Sequence, residues 1–137
     1  MEDNIIKSVS ISEIKDFIIN NSFLNMSIEI CGLLGFDNDS QSYIAKMEKN
    51  ESPDPKNYFI MNPLSYLNFK NRYDLIGVFH SHVVCDEQPS EFDMKMSEST
   101  CLPFIIFSIN SKKFHIYEPQ NKDYDVNILE RLKAKLS

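Results

Sequence analysis

An apolar run at residues 75–79 that ends in His80-Ser81-His82 constrains the fold of this chain more than any other feature. A short apolar run of this kind predicts a buried strand that delivers its last residues to the edge of a pocket. Side chains two positions apart on a strand point to the same face. His80 and His82 would therefore present two imidazoles on one face, about 6 to 7 Å apart along the strand, close enough to bind a single metal ion.

A second polar pair, Ser90 and Asp93, follows a seven-residue loop. The two residues are one helical turn apart and so share one face of the helix that begins there. Two imidazoles, one carboxylate and one hydroxyl would then converge, which gives three protein ligands and a fourth position for water, as in catalytic zinc sites. The same pair also fits an ordinary helix N-terminus, with Ser90 as N-cap and Asp93 near the positive end of the helix dipole. The two interpretations are compatible.

Taken together, these residues resemble the signature of the JAMM (MPN-plus) zinc metalloprotease family, in which His-[Ser/Thr]-His is followed by seven residues and Ser-x-x-Asp. That family also carries a glutamate well upstream, and the segment that begins at Glu29 is similar to the one that carries it in small prokaryotic and phage members. The similarity runs from about residue 10 to residue 117. It includes Asn50, Asp54-Pro55, Phe59, Asn62-Pro63 and Pro89.

The resemblance implies a mechanism. Zinc would be held by His80, His82 and Asp93, and it would activate a water molecule at neutral pH. Glu29 would act as the base that takes the proton of this water and later passes it to the leaving amine. Ser90 would donate a hydrogen bond to the oxyanion of the tetrahedral intermediate.

The resemblance also implies a substrate. Most such enzymes cut a peptide or isopeptide bond just after the C-terminal tail of ubiquitin or a ubiquitin-like protein, so a ubiquitin-like protein or its conjugate is the expected partner. A phage tail-assembly or cell-wall peptidase of the same family is the alternative enzyme. A non-catalytic scaffold of the same fold is the alternative from another class, although such scaffolds typically lack one or more of the ligands that this chain keeps.

Other residues leave the chemistry open to alternatives. Glu29 could be a solvated acid at a strand edge, and Cys85, in His-x-His-x2-Cys, could supply a metal ligand, although Asp93 already completes the set. His115 has no partner at ligand spacing, which favours an ordinary strand residue. Val83 stands where many small family members carry proline, so the pocket rim and the substrate are less constrained than the metal ligands.

Two other metal chemistries lack their motifs in this sequence. The His-Glu-x-x-His helix of thermolysin-like enzymes is absent. The paired His-x-Glu and Pro-Cys-x-x-Cys motifs of nucleobase deaminases are absent as well.

Composition narrows the class of protein. A chain of 137 residues with 42% hydrophobic and 25% charged residues is predicted to form a single domain, residues 1–137. A net charge of −6 without a basic stripe argues against nucleic acid as a partner, and no apolar run approaches the ~20 residues of a membrane span. Three cysteines without close pairing indicate a reducing compartment, so we expect a cytoplasmic protein.

The apolar periodicity predicts alternating strands and helices. The predicted elements are an edge strand at 5–9, a helix from a Ser10/Glu13 capping box to about Asn21, strands at 27–36 and 43–47, a helix that begins at Asn62-Pro63, the strand at 75–79, a helix at 91–99, a hairpin of 103–109 and 114–117, and a C-terminal helix at 126–136. We expect Leu64 and Leu67 on the inner side of the helix that follows Asn62, and Cys31 and Cys101 as small core residues.

These elements predict an α/β fold, a three-layer domain with a curved mixed β-sheet flanked by helices. The family resemblance implies the same architecture, that of MPN domains, which is similar to the cytidine deaminase fold. It also implies zinc at the sheet edge, between the central strand and the helix that follows it.

Overall fold

One mixed sheet organises the chain. In the computed structural model, which describes residues 4–136, the elements are β1 (Ile5–Ser8), α1 (Ile11–Leu24), β2 (Cys31–Asp37), β3 (Ser42–Glu48), α2 (Pro63–Arg72), β4 (Asp74–His82), α3 (Glu91–Thr100), β5 (Phe104–Ser108), β6 (Phe114–Tyr117) and α4 (Val126–Leu136). The strand order is β1-β3-β2-β4-β5-β6. Strands β4 and β5 run parallel, whereas the other neighbours are antiparallel.

Helices cover both faces of this sheet. On one face, Ile14 and Ile18 of α1 and Leu129 of α4 belong to a core cluster with inward residues of β2 to β5. On the other face, Phe69 of α2 packs with a second cluster, and Phe92 of α3 lies against Phe59 of that cluster. The predicted three-layer α/β architecture with a mixed sheet is therefore confirmed.

The central strand β4 supplies the largest share of buried positions. All of its residues from 75 to 82 are buried, because β2 pairs with it on one side and β5 on the other, while helices cover both faces. Its last residues, His80 to His82, still pair with β5, at His80–Ile106 and His82–Ser108. The two histidines therefore sit on fully supported backbone rather than in a loop.

The start of α1 differs from the prediction. Ser10 precedes the helix but makes no side-chain capping hydrogen bond, and the Glu13 carboxylate instead accepts a hydrogen bond from Ser8 Oγ. The predicted capping box at Ser10 is therefore wrong. The helix also continues to Leu24 rather than ending near Asn21. Asn21 and Ser22 do not terminate it, since their side chains donate hydrogen bonds to carbonyls within the helix over 2.9 and 2.7 Å.

The inner face of α2 also differs from the prediction. Leu64 and Leu67 are 64% and 51% exposed, while Phe69 is only 4% exposed. The ring of Phe69 occupies the space next to Gly35, where a Cβ atom would lie only 2.6 Å from a ring carbon. Gly35 thus lets α2 approach the sheet through Phe69, and the two leucines face outward.

The three cysteines are unpaired, and they differ in burial. Cys31 lies in the core, as predicted. Cys101 is only half-buried, because it ends α3 in the left-handed conformation (φ 59°), so its assignment to the core is wrong. Among residues 4–136, no helix is long and apolar enough to cross a membrane.

We expect Phe69→Ala to lower the free energy of unfolding by about 3 to 5 kcal/mol, because it removes a buried ring and leaves a cavity against Gly35. Leu67→Ala, in the same helix but exposed, should change it by about 0.5 kcal/mol or less. Urea denaturation of both variants measures the difference. Similar losses in the two variants would contradict this packing of α2.

Candidate metal centre

Three buried side chains converge at the end of β4. The imidazole Nε2 of His80 lies 3.1 Å from Asp93 Oδ1, the Nε2 of His82 lies 3.0 Å from Asp93 Oδ2, and the two Nε2 atoms are 3.3 Å apart. All three residues are at most 2% exposed. Ligands of a tetrahedral zinc ion with bonds of ~2.0–2.1 Å stand about 3.3 Å apart. The cluster therefore has the donor atoms and the spacing to hold a metal ion.

Asp93 reaches this cluster from the first turn of α3. Ser90 Oγ accepts a hydrogen bond from the backbone N–H of Asp93 at 3.0 Å, and Asp93 Oδ2 accepts one from the backbone N–H of Ser90 at 2.9 Å. This reciprocal capping box fixes the carboxylate in place. The helix-cap and the ligand interpretations of Ser90 and Asp93 are thus both compatible with the structure, because one Asp93 side chain caps the helix and faces both histidines.

Hydrogen bonds from neighbouring residues stabilise the negative charge of Asp93. Burial works to raise the pKa of this carboxyl, but hydrogen bonds from His80 and His82 outweigh burial and keep the pKa well below its usual range. Burial lowers the pKa of His80, so this imidazole is neutral. Neutral imidazole and ionised carboxylate are the forms that bind metals.

The orientation of His82 is set by the loop that follows it. Its Nδ1 lies 2.7 Å from the carbonyl oxygen of Asp86, so Nδ1 carries the proton and donates it. The Nε2 atom faces Asp93. Burial lowers the pKa of His82, but the hydrogen bonds to Asp93 and to the Asp86 carbonyl raise it overall, so a metal ion at Nε2 would displace a proton. The Nδ1 atom of His80, in contrast, has no hydrogen-bond partner among the described residues.

Glu29 lies beside the cluster but outside the set of metal donors. It sits in an extended segment just before β2, which starts at Cys31 and not at residue 27 as predicted. The side chain is 4% exposed, and burial raises its pKa to about 8. The negative charge of Asp93 raises the pKa further, while His82 opposes this. Glu29 is therefore buried, and not the solvated strand-edge acid of the alternative interpretation.

Two polar residues hold the Glu29 segment, and no role was predicted for either of them. Ser81, between the two histidines, points away from them and accepts a hydrogen bond from the backbone N–H of Ile30 at 2.9 Å. Asn50 Nδ2 donates to the carbonyls of Glu29, Pro55 and Tyr58 at 2.9 to 3.2 Å. The only signal for Asn50 in the sequence was its place in the family resemblance.

Residues 83–89, which we call the rim loop, are anchored to the turn between β5 and β6. Ser108 Oγ donates to the carbonyl of Cys85 at 2.7 Å, and Ser111 Oγ donates to Glu87 Oε1 at 2.6 Å. Cys85 itself is exposed, and its thiol is not among the converging donor atoms. His115 is half-buried in β6 and does not contribute a donor either.

Comparison with protein families gives a match over most of the chain. The family described as prokaryotic homologs of the JAB domain matches residues 14–121. The matched range includes Glu29, both histidines, Ser90 and Asp93.

The similar proteins include one phage protein and one solved structure. The tail tip assembly protein K of Escherichia phage N15 is 25% identical over 116 residues, which are 85% of this chain and 46% of that protein, so the chain spans about half of its relative's length. The solution structure of protein DSY2949 from Desulfitobacterium hafniense has a TM-score of 0.50 and 20% identity, with coverage of 79% of this chain and 91% of the other. The latter similarity concerns the fold alone.

We expect the purified protein to bind about one divalent metal ion per chain, because three donors face one point. The double change His80→Ala, His82→Ala should abolish this binding, as measured by elemental analysis. Cys85→Ser is the matched control and should leave the metal content unchanged. Loss of metal in the control variant would show that the thiol is a ligand, and retention in the double variant would place the ion elsewhere.

We also expect Glu29 to make stability depend on pH in the metal-free protein. Its pKa is about 8 when folded and about 4.3 in an unfolded chain. Between these values the folded state holds a proton that the unfolded state has released. The contribution of Glu29 to stability is therefore full below the lower value and is lost as pH rises, at up to about 1.4 kcal/mol per pH unit.

The measurement compares wild type with Glu29→Gln by urea denaturation from pH 4 to 9. His80, His82 and Asp93 titrate in both proteins, so the difference reports Glu29 together with its charge coupling to His82 and Asp93. The stability of wild type relative to the variant should decline across the window. A constant difference would mean that Glu29 has an ordinary pKa.

Proposed function

Because the chain belongs to the family of prokaryotic homologs of the JAB domain, we propose that it is a zinc-dependent hydrolase of peptide or isopeptide bonds. The observation that carries this proposal is the buried convergence of His80, His82 and Asp93 with the carboxyl group of Glu29 beside it. A structural metal site would use a fourth protein ligand, whereas this cluster offers three.

The donor set fits zinc. Two imidazole nitrogens and one carboxylate are ligands that zinc accepts, and a site with three protein ligands leaves one coordination position open. The hydrogen bond between His82 Nδ1 and the Asp86 carbonyl directs Nε2 toward the cluster, as the second coordination sphere of zinc-bound histidines generally does. A zinc ion bound here would supply a Lewis acid for the substrate carbonyl and for the attacking water.

Glu29 is the proposed general base. Its burial beside the cluster raises its pKa to about 8, and a general base is most effective when its pKa lies near the operating pH. The positive charge of a bound zinc ion would favour the carboxylate form of Glu29, so this glutamate could accept a proton from water. The same group then returns this proton to the leaving amine.

Ser90 is the proposed donor to the oxyanion. Its Oγ accepts a hydrogen bond from the Asp93 backbone N–H, so its own hydroxyl hydrogen remains available. The residue lies at the exposed start of α3, next to the buried cluster, where a substrate carbonyl can reach it. A donor that meets developing negative charge stabilises the transition state more than the ground state.

Two substrate classes are open to a peptidase with this site. The motif resemblance supports the C-terminal tail of a ubiquitin-like protein, since an extended tail that ends in glycines fits a narrow site. The similarity to the phage N15 tail tip assembly protein supports a substrate in phage tail assembly instead. The three unpaired cysteines support a reducing, cytoplasmic setting for either reaction.

We expect Glu29→Gln to retain the metal and to lower turnover by ~10² to 10⁴, because a general base is lost while the ligands stay. Ser90→Ala should lower turnover by about 10² or more. This serine also caps α3, so thermal unfolding must be measured beside activity. Full activity of the Glu29→Gln variant would show that Glu29 is not the general base.

A panel of fusion proteins tests the substrate class. Wild type and Glu29→Gln are incubated with ubiquitin-like proteins fused through Gly-Gly to a reporter, and with casein, each with and without a chelator. Chelator-sensitive release of the reporter, with no cleavage of casein, is the expected result. Cleavage of casein alone would favour the tail-assembly or cell-wall peptidase. If the metal-loaded protein cleaves none of these substrates, a non-catalytic scaffold is favoured.

A further inference from the structure

An apolar groove opens beside the metal centre. It has a volume of about 400 Å³ and runs between the start of α2 and α3, above Val78 of β4 and Phe104 of β5. Its lining, drawn from described residues between 59 and 104, contains no charged side chain. This is notable in a protein with a net charge of −6.

The groove and the metal centre share a wall. The ring of Phe59 lies 4.7 Å from the ring of His80, measured between centroids, and 6.4 Å from the ring of Phe92. Phe59 and Phe92 both line the groove, and Phe92 directly precedes Asp93 in α3. A chain bound across the metal centre would therefore lie next to the groove.

Large apolar side chains at the groove remain open to solvent. Ile60 is 43% exposed and Met96 is 37% exposed, and no described residue covers them. Contact with another apolar group would remove this surface from water, which is favourable at roughly 25 cal/mol per Å². A methionine in the wall also adapts to side chains of different shapes.

We propose that this groove binds a bulky apolar side chain of the polypeptide substrate, close to the bond that is hydrolysed. This inference rests on the peptidase function proposed above and adds the chemical class of residue that the enzyme selects. A charged side chain is excluded, because it would lose its hydration without gaining an ionic partner in the groove. The volume lies within the range of sites that enclose small ligands, so the groove has room for a leucine, methionine or phenylalanine side chain.

The first test needs no catalysis. The probes are N-acetyl-leucinamide and N-acetyl-phenylalaninamide, with N-acetyl-glutaminamide and N-acetyl-lysinamide as polar controls. Methyl NMR signals of Ile60 and Met96 should shift saturably with the two apolar amides and should not shift with the controls. The absence of saturable shifts up to the solubility limit, or equal shifts with all four amides, would overturn the proposal.

The second test uses a substrate that wild type cleaves. Met96→Lys places a charge in the groove and should lower kcat/KM about 10-fold or more, through KM rather than kcat. Met96→Leu should restore it. Leu67→Lys is the matched control, because Leu67 is exposed on α2 but does not line the groove. Metal content should be unchanged in all three variants, which separates the groove from the ligands.

The outcomes distinguish the groove from the catalytic function. If no substrate is cleaved but the apolar amides bind, the peptidase proposal fails and the apolar selectivity of the groove stands. If wild type cleaves a substrate and Met96→Lys cleaves it equally well, the groove proposal fails and the function stands. If Met96→Lys converts a dimer into a monomer in sedimentation analysis, a second copy of the chain covers the groove and the proposal is overturned.

Discussion

The buried carboxylate of Asp93 is the interaction on which the site depends. It contacts both imidazoles at the end of β4 and closes the capping box at the start of α3, so it joins the central strand to the helix that follows it. A buried charge is stable only when each of its oxygens has partners, and here both oxygens do. The fold therefore keeps a negative charge in its interior through hydrogen bonds from the protein itself. The cost of assembling the donors is met during folding, so little reorganisation remains for metal binding.

The local parts of this site could be predicted from the sequence. The spacing of His80 and His82 follows from strand geometry, and the Ser90/Asp93 pair follows from helix geometry, because both rules act over a few residues. The position of Glu29 could not be predicted in this way. Its segment is held by a hydrogen bond between Ile30 and Ser81, which are 51 residues apart, and only the family resemblance indicated that this glutamate belongs near the histidines.

The errors of sequence reasoning have physical causes. Ser10 and Glu13 have the spacing of a capping box, but the Glu13 carboxylate accepts a hydrogen bond from the Ser8 hydroxyl instead of from the Ser10 backbone. Leu64 and Leu67 have the spacing of an inner helix face, but Phe69 has a larger ring to bury and Gly35 leaves room for it. In both cases the local pattern was correct in form, but a competing contact determined the result: a neighbouring serine in the first case and a distant strand in the second.

The anchoring of the rim loop makes the two ends of the site interdependent. All proposed metal ligands lie between residues 80 and 93. The carbonyl that orients His82 belongs to Asp86 of the rim loop, and the residues on either side of Asp86 are hydrogen-bonded to Ser108 and Ser111. A transplant of residues 76–93 into another scaffold would carry every donor atom but would lose this external support. Insertions or deletions in the rim loop should therefore be tolerated only together with matching changes in the β5–β6 turn, which couples the lengths of two loops that are remote in sequence.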